Sequence, residues 1–198
     1  MKNSQQQAQP NARAQSHGQG PSQGQSQGQT QGSSQNHQPS PDACLQDPLP
    51  ATAVTYSQAD LDALMYMIEE EKLAGDIYDV FYEQTGLRVF DKIGDSEDQH
   101  MATLIAQAEI AGLNLDTVLS FPEGQYSNPE LQTLYDSLLA TGSVSATAAL
   151  EVGLAIELTD IADLELAMVD LVGTPLGSAY ANLLSGSNNH LAAFEGLL

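Results

Sequence analysis

Residues 93–104, which read IGDSEDQHMATL, place polar side chains where a helix should bury apolar ones. Apolar Ile93 and Leu104 bracket the stretch, and helical spacing puts Glu97 and His100 between them on one face. A buried carboxylate is very costly unless it is paired or bound to a cation. The stretch therefore predicts an amphipathic helix whose inner face holds functional polar side chains.

Helical periodicity continues on both sides of this stretch. Ser57, with Asp60 after it, resembles a capping box, and Asn128 followed by Pro129 is typical of a helix start. No sustained period-two run predicts a strand pair. We expect an all-α fold, a four-helix bundle with one long crossover that carries a short extra helix. The long helices are predicted over about residues 57–86, 88–111, 143–170 and 175–198, and the short helix over about 128–140.

Each of the other long helices also has a polar side chain on the face that should be apolar. At the usual rise per residue, these side chains fall within about one turn of a common level in the bundle. The folded part offers only Lys72, Arg88 and Lys92 as basic partners. A metal ion is therefore the expected cation. The candidate ligands are Glu71, Glu97, His100, Glu157, Asp160 and His190.

Four runs give residues 57–198 a family resemblance. They read EEEKLA at 69–74, SEDQHM at 96–101, IELTDI at 156–161 and GSNNHL at 186–191. Together they resemble the ferritin-like superfamily, and more closely an uncharacterised prokaryotic branch of it catalogued as a domain of unknown function. That superfamily's di-metal pattern has one Glu from each of two helices and a Glu-x-x-His from each of the other two.

The resemblance implies a ferritin-like bundle with a di-iron or di-manganese site, in which zinc is an alternative occupant. Glu97 would bridge the metals, and Tyr78 matches a tyrosine often found near them. The implied activity is metal oxidation by dioxygen or peroxide, which makes the protein a ferroxidase-like or peroxide-reducing oxidoreductase with Tyr78 as a catalytic residue. The fourth helix departs from the pattern, because Ser187 stands where a second Glu-x-x-His has its glutamate. Either Asp160 supplies that carboxylate, or one metal binds tightly and a second weakly.

Non-enzymatic interpretations use the same residues. A Glu-x-x-His can lie on a solvated face, and the acidic run 69–71 can be a charged surface, although Glu70 can also face inward. Tyr78 and His190 can serve packing alone. The alternative function is a helical-bundle scaffold or interaction protein with a structural, partial or absent metal site.

Charge and composition narrow the partners. The net charge is -21, and residues 51–198 carry 24 acidic but only 3 basic side chains, which excludes nucleic acid and anionic membrane surfaces as partners. Residues 1–50 form a Gln/Gly/Ser-rich tail, predicted to be disordered, that could act in assembly or attachment. The single Cys44 cannot form an intramolecular disulfide. No signal peptide is visible, so the expected location is cytoplasmic; a homodimer is left open.

Overall fold

The computed structural model describes residues 54–198, which form six α-helices and no strand. The predicted tail over residues 1–50 lies outside the described residues. Four helices are long and two are short. They are α1 (Gln58–Thr85), α2 (Arg88–Ile110), α3 (Asp116–Leu119), α4 (Pro129–Gly142), α5 (Ala146–Ala167) and α6 (Pro175–Glu195).

The helix boundaries follow the predicted capping residues. Ser57 caps α1 in a capping box, in which its hydroxyl accepts the Asp60 backbone N–H and the Asp60 carboxylate accepts the Ser57 N–H. Gly86 ends α1 with a φ of 68°, a left-handed conformation that favours glycine. Asn128 caps α4, with Pro129 in its first turn. The sequence therefore predicts where these helices begin and end.

The four long helices pack as a bundle. Helix α1 lies against α2 and α5, and α6 closes the ring by packing on the same two helices. An aromatic cluster at one end joins α1, α2 and α6 through Tyr78, Phe90 and Phe194. The leucine-rich cluster at the other end contains Leu64, Leu104, Leu164 and Leu183. The candidate ligands lie on helical turns between the two clusters.

The connection between α2 and α5 crosses from one end of the bundle to the other. Helix α2 ends in the leucine-rich cluster, whereas α5 begins beside the aromatic cluster. The crossover carries α3 and α4, and α4 packs on α1 and α5. The sequence predicts the crossover and its extra helix but not α3, because four residues are too short to show periodicity.

The connection from α5 to α6 begins earlier than predicted. Helix α5 ends at Ala167 rather than near Asp170, and the chain then turns so that Leu171 packs into the leucine-rich cluster. The turn brings the Leu171 carbonyl against Gly177, where a Cβ would collide with the carbonyl oxygen. None of the helices within residues 54–198 is long and apolar enough to cross a membrane.

Candidate metal centre

All six predicted ligands lie in the middle of the bundle. Each of the four long helices contributes at least one of them. They are buried or nearly so: the exposed fraction is 2% for Glu71, 2% for Glu97, 1% for Glu157, 6% for Asp160 and 9% for His190, and 11% for the His100 side chain. The predicted inward orientation of these side chains matches their positions.

Glu97 stands at the centre of the cluster. Its Oε2 lies 2.7 Å from Nδ1 of His100, and its Oε1 lies 2.8 Å from Nδ1 of His190. Glu71 Oε2 lies 3.4 Å from the same His100 nitrogen, and Glu157 Oε2 lies 3.4 Å from the same His190 nitrogen. The side chains thus form two triads that share Glu97, and the ligand atoms of each triad lie within 4.8 Å of one another.

The short nitrogen–oxygen distances in the triads do not come with hydrogen-bond geometry. Nδ1 of His100, Nδ1 of His190 and Oε1 of Glu97 are fully buried but have no hydrogen-bond partner of acceptable geometry. Glu71 Oε1 is also buried without a partner. Buried polar atoms are normally satisfied, so a group of such atoms aimed at a common region is what a cation site requires.

Asp160 and Ser187 lie beside the triads rather than in them. Asp160 belongs to neither triad, and its Oδ1 has no partner. Ser187 is fully buried, and its hydroxyl donates to the Leu183 carbonyl at 3.0 Å. The structure therefore brings five of the six candidates together in the two triads and leaves Asp160 outside them.

Tyr78 supports one of the candidate ligands. Its side chain is fully buried, and its hydroxyl donates to Glu157 Oε1 at 2.7 Å. The other oxygen of Glu157 faces His190. Burial, followed by the negative charge of Glu157, raises the pKa of Tyr78 well above its usual range, so the hydroxyl keeps its proton and its donor role. Tyr78 is thus placed to orient Glu157.

The acidic run at 69–71 is buried at all three positions. Glu69 accepts the backbone N–H groups of Ser127 and Asn128, which fixes the start of α4 against α1. Glu70 is 5% exposed, and its Oε2 has no partner. The alternative of a solvated surface run is therefore wrong. Three consecutive residues span about 200° around a helix, so their burial requires α4 as a third neighbour of α1, and the sequence does not show where α4 packs.

Among residues 54–198, no basic side chain reaches this cluster. Lys72 pairs with Asp76, and Arg88 and Lys92 contact acids on the surface of α2. Within the described residues, protons or an added cation must therefore offset the charge of the buried carboxylates.

Burial sets the protonation of the acids around Glu97. It raises the pKa of Glu71 well above its usual range, with Asp160 and Glu97 as further negative neighbours. Burial also raises the pKa of Glu70 to about 9, of Glu157 to about 7 and of Asp160 to about 6. Without a cation, Glu70 and Glu71 retain their protons near neutral pH, Glu157 is partly protonated and Asp160 is mostly ionised. A metal ion would favour the charged forms of all four acids.

The pKa values of Glu97 and the two histidines shift so as to favour their charged forms. Burial disfavours the charged form of Glu97, but its contacts with His100 and His190 outweigh burial and lower its pKa to about 2. Burial also disfavours the imidazolium form of His190, yet Glu157 and Glu97 raise its pKa to about 9. Glu97 therefore stays ionised even at the acidic pH values at which Asp160 and Glu157 bind protons.

Comparison with known proteins identifies the family but no activity. Residues 60–197 match a family described as an uncharacterized protein domain (DUF2202). The chain is similar to the uncharacterized protein MJ0754 of Methanocaldococcus jannaschii, at 37% identity over 142 residues that cover 72% of this chain and 76% of that protein. It also matches the crystal structure of the hypothetical protein MJ0754 from Methanococcus jannaschii DSM 2661, with a TM-score of 0.69 and 37% identity over 74% of this chain and 82% of that chain.

The matched region contains all of the candidate ligands, and it excludes the whole of the Gln-rich tail. The predicted membership of a family of unknown function is thereby confirmed. On the extent of the family match and the identity to MJ0754, the chain belongs to the DUF2202 family.

Proposed function

We propose that this protein is a ferritin-like metal protein that holds two divalent metal ions between its long helices. The observation that carries the proposal is the pair of triads sharing Glu97, whose buried nitrogen and oxygen atoms lack hydrogen-bond partners. The helix order, with one crossover along the bundle, supports the ferritin-like assignment. Carboxylate and imidazole ligands suit iron or manganese, and zinc also accepts them.

In the proposed site, the ligands would divide between two positions. Glu97 would bridge, because its two oxygens face different histidines. His100 and Glu71 would hold one ion, and His190 and Glu157 the other. Asp160, whose Oδ1 has no partner, would supply an additional carboxylate. Ser187 has no carboxylate with which to bridge two ions, and its hydroxyl donates to the Leu183 carbonyl.

Two iron ions, if bound, would supply one-electron transfer from each: two Fe(II) would become two Fe(III) while one hydrogen peroxide and two protons would become two water molecules. The protein's own residues would orient a ligand and limit the access of water to the site. Tyr78 holds Glu157 in orientation, and the apolar clusters at both ends of the site limit the access of bulk water. Tyr78 is therefore proposed as a positioning residue of a ferroxidase-like or peroxide-reducing enzyme.

Metal content tests this proposal directly. We expect elemental mass spectrometry of protein purified without chelators or a His tag to find two equivalents of iron or manganese per chain. Glu97→Ala should lose both ions, because both triads use this residue. Asp98→Ala is the matched control, since it removes an exposed acid from the next position of α2.

Other outcomes would change the conclusion. A single equivalent in the wild-type protein would contradict the two-ion site and favour one tight position. No metal, even after anaerobic loading with Fe(II), would contradict metal binding altogether and favour the scaffold alternative. Equal metal content in Glu97→Ala and Asp98→Ala would place the metal elsewhere on this acidic chain.

A further inference from the structure

A cleft opens between α4 and α5 beside the two triads that share Glu97, which together are called the carboxylate–histidine cluster below. Ala155 and Thr159, both exposed on α5, form part of its rim. Leu134 and Leu138 of α4 form the opposite wall and are half-buried. The cleft has a volume of about 60 Å³. A single water needs about 10–15 Å³ on the same measure, so the cleft has room for a molecule of a few atoms.

The inner end of the cleft meets the candidate metal centre. Glu70 and Ile156 line the cleft and are 5% and 6% exposed. The same two residues line a smaller cavity of about 10 Å³. The other walls of that inner cavity include Glu71, Glu97 and Glu157. A wall formed by two side chains therefore separates the cleft from the candidate ligands.

The lining of the cleft selects for a small uncharged molecule. Leu73, Leu134, Leu138 and Ile156 give it an apolar surface. A hydrated cation would lose water against these side chains without replacement ligands, and an anion would meet the Glu70 carboxyl with no basic group among the described lining residues. Glu70 Oε2 has no hydrogen-bond partner at the inner end, so it can bond to a ligand O–H.

We propose that this cleft is the access route by which a small uncharged oxidant, dioxygen or hydrogen peroxide, reaches the carboxylate–histidine cluster. Glu70 and Ile156 form the wall that the oxidant must pass. The proposal rests on the proposed function, because an oxidant has a role only if the cluster holds an oxidisable metal. It adds the path and the residues that control it.

A substitution at the rim tests the route without disturbing the ligands. In Ala155→Trp, a large side chain is placed at the mouth of the cleft from an exposed position. Leu158→Trp is the matched control, because Leu158 is an exposed residue of the same helix that does not line the cleft. Two measurements are made on each protein: the rate of Fe(II) oxidation in stopped flow, and xenon binding by NMR or in a pressurised crystal, since apolar cavities bind xenon.

We expect xenon in the cleft of the wild-type and Leu158→Trp proteins and none in Ala155→Trp. We also expect Ala155→Trp to retain both metal equivalents and to oxidise Fe(II) about tenfold more slowly, equivalent to ~1.4 kcal/mol added to the barrier. Slowing with dioxygen alone assigns the route to dioxygen, and slowing with peroxide alone assigns it to peroxide.

Two results would overturn the route. The first is unchanged oxidation by both oxidants in an Ala155→Trp protein that holds its metal. The second is a wild-type cleft that binds no xenon. Either would leave the proposed function intact, because metal stoichiometry is measured separately. A wild-type protein without metal would instead overturn the proposed function, and the route with it.

Discussion

Gly186→Ala tests the position of His100 without removing any ligand. Gly186 lies on α6 directly against the His100 ring of α2. A Cβ at this position would stand 2.6 Å from Nε2 and 2.8 Å from Cε1 of His100, whereas 3.4 Å is the lower end of ordinary contact. The ring must therefore move by roughly 0.8 Å, or the two helices must separate, and overpacking of this kind typically costs about 1–3 kcal/mol.

A shift of that size is large for a metal ligand. Ligand distances in metal sites hold to about 0.2 Å, and His100 Nδ1 lies 2.7 Å from Glu97 Oε2 and 3.4 Å from Glu71 Oε2. We expect the affinity of the ion held by these residues to fall by about 10–100-fold, the usual effect of disturbing the groups that orient a ligand. The ion beside His190 should be retained.

Competition with a metal-binding dye would resolve the two affinities, with two glycine substitutions as controls. Gly75→Ala should leave both affinities unchanged, because its Cβ would lie 3.8 Å from the Glu97 and Asp98 side chains. Gly142→Ala should lower the melting temperature through its clash with Phe81 but keep the metal stoichiometry. Wild-type affinity at both positions in Gly186→Ala would refute the argument that His100 is held in place by close contact with α6.

Two further predictions concern Tyr78 and pH. Tyr78→Phe removes the hydrogen bond to Glu157; unfolding in urea should show a loss of about 0.5–1.5 kcal/mol, and metal titration should show weaker binding beside His190 alone. Equal weakening at both positions would contradict the orienting role. The metal-free protein should lose stability as pH rises from about 5 to 9, because folding raises the pKa of Glu70 to about 9 and of Glu157 to about 7, so the folded state binds more protons over that range. Urea unfolding across this range checks the sign, and a stability that stays constant or rises would contradict it.

Much of the helical organisation could be predicted because it is encoded locally. Ser57, Asn128 and Pro175 mark helix starts through capping chemistry that does not depend on the rest of the fold. The inward positions of Glu97 and His100 also follow from local sequence, since residues three apart share a helix face and apolar Ile93 and Leu104 lie on that same face.

The remaining features depend on contacts between distant segments. The burial of Glu69 and Glu70 requires α4 against α1, and periodicity within α1 carries no information about that neighbour. The short α3 gives no periodic signal. The contact between Gly186 and His100 joins α6 to α2. The sequence around a glycine does not indicate which distant side chain packs against it. The sequence therefore predicts which helix faces carry the ligands more readily than what holds those ligands in position.

The burial of three consecutive acids has a consequence for the rotational setting of α1. Glu69 accepts a hydrogen bond from the crossover, Glu70 lines the inner end of the cleft, and Glu71 belongs to a triad. A slip of one residue turns a helix by about 100°. In one direction it would place Ile68 opposite the Ser127 and Asn128 amides and leave them without an acceptor. In the other direction it would place Lys72 where Glu71 joins the triad. Apolar side chains tolerate repacking, but buried polar groups in distinct surroundings do not. We therefore expect these acids to fix the rotation and height of α1, so that the polar side chains, rather than the leucines, specify one alignment of this bundle.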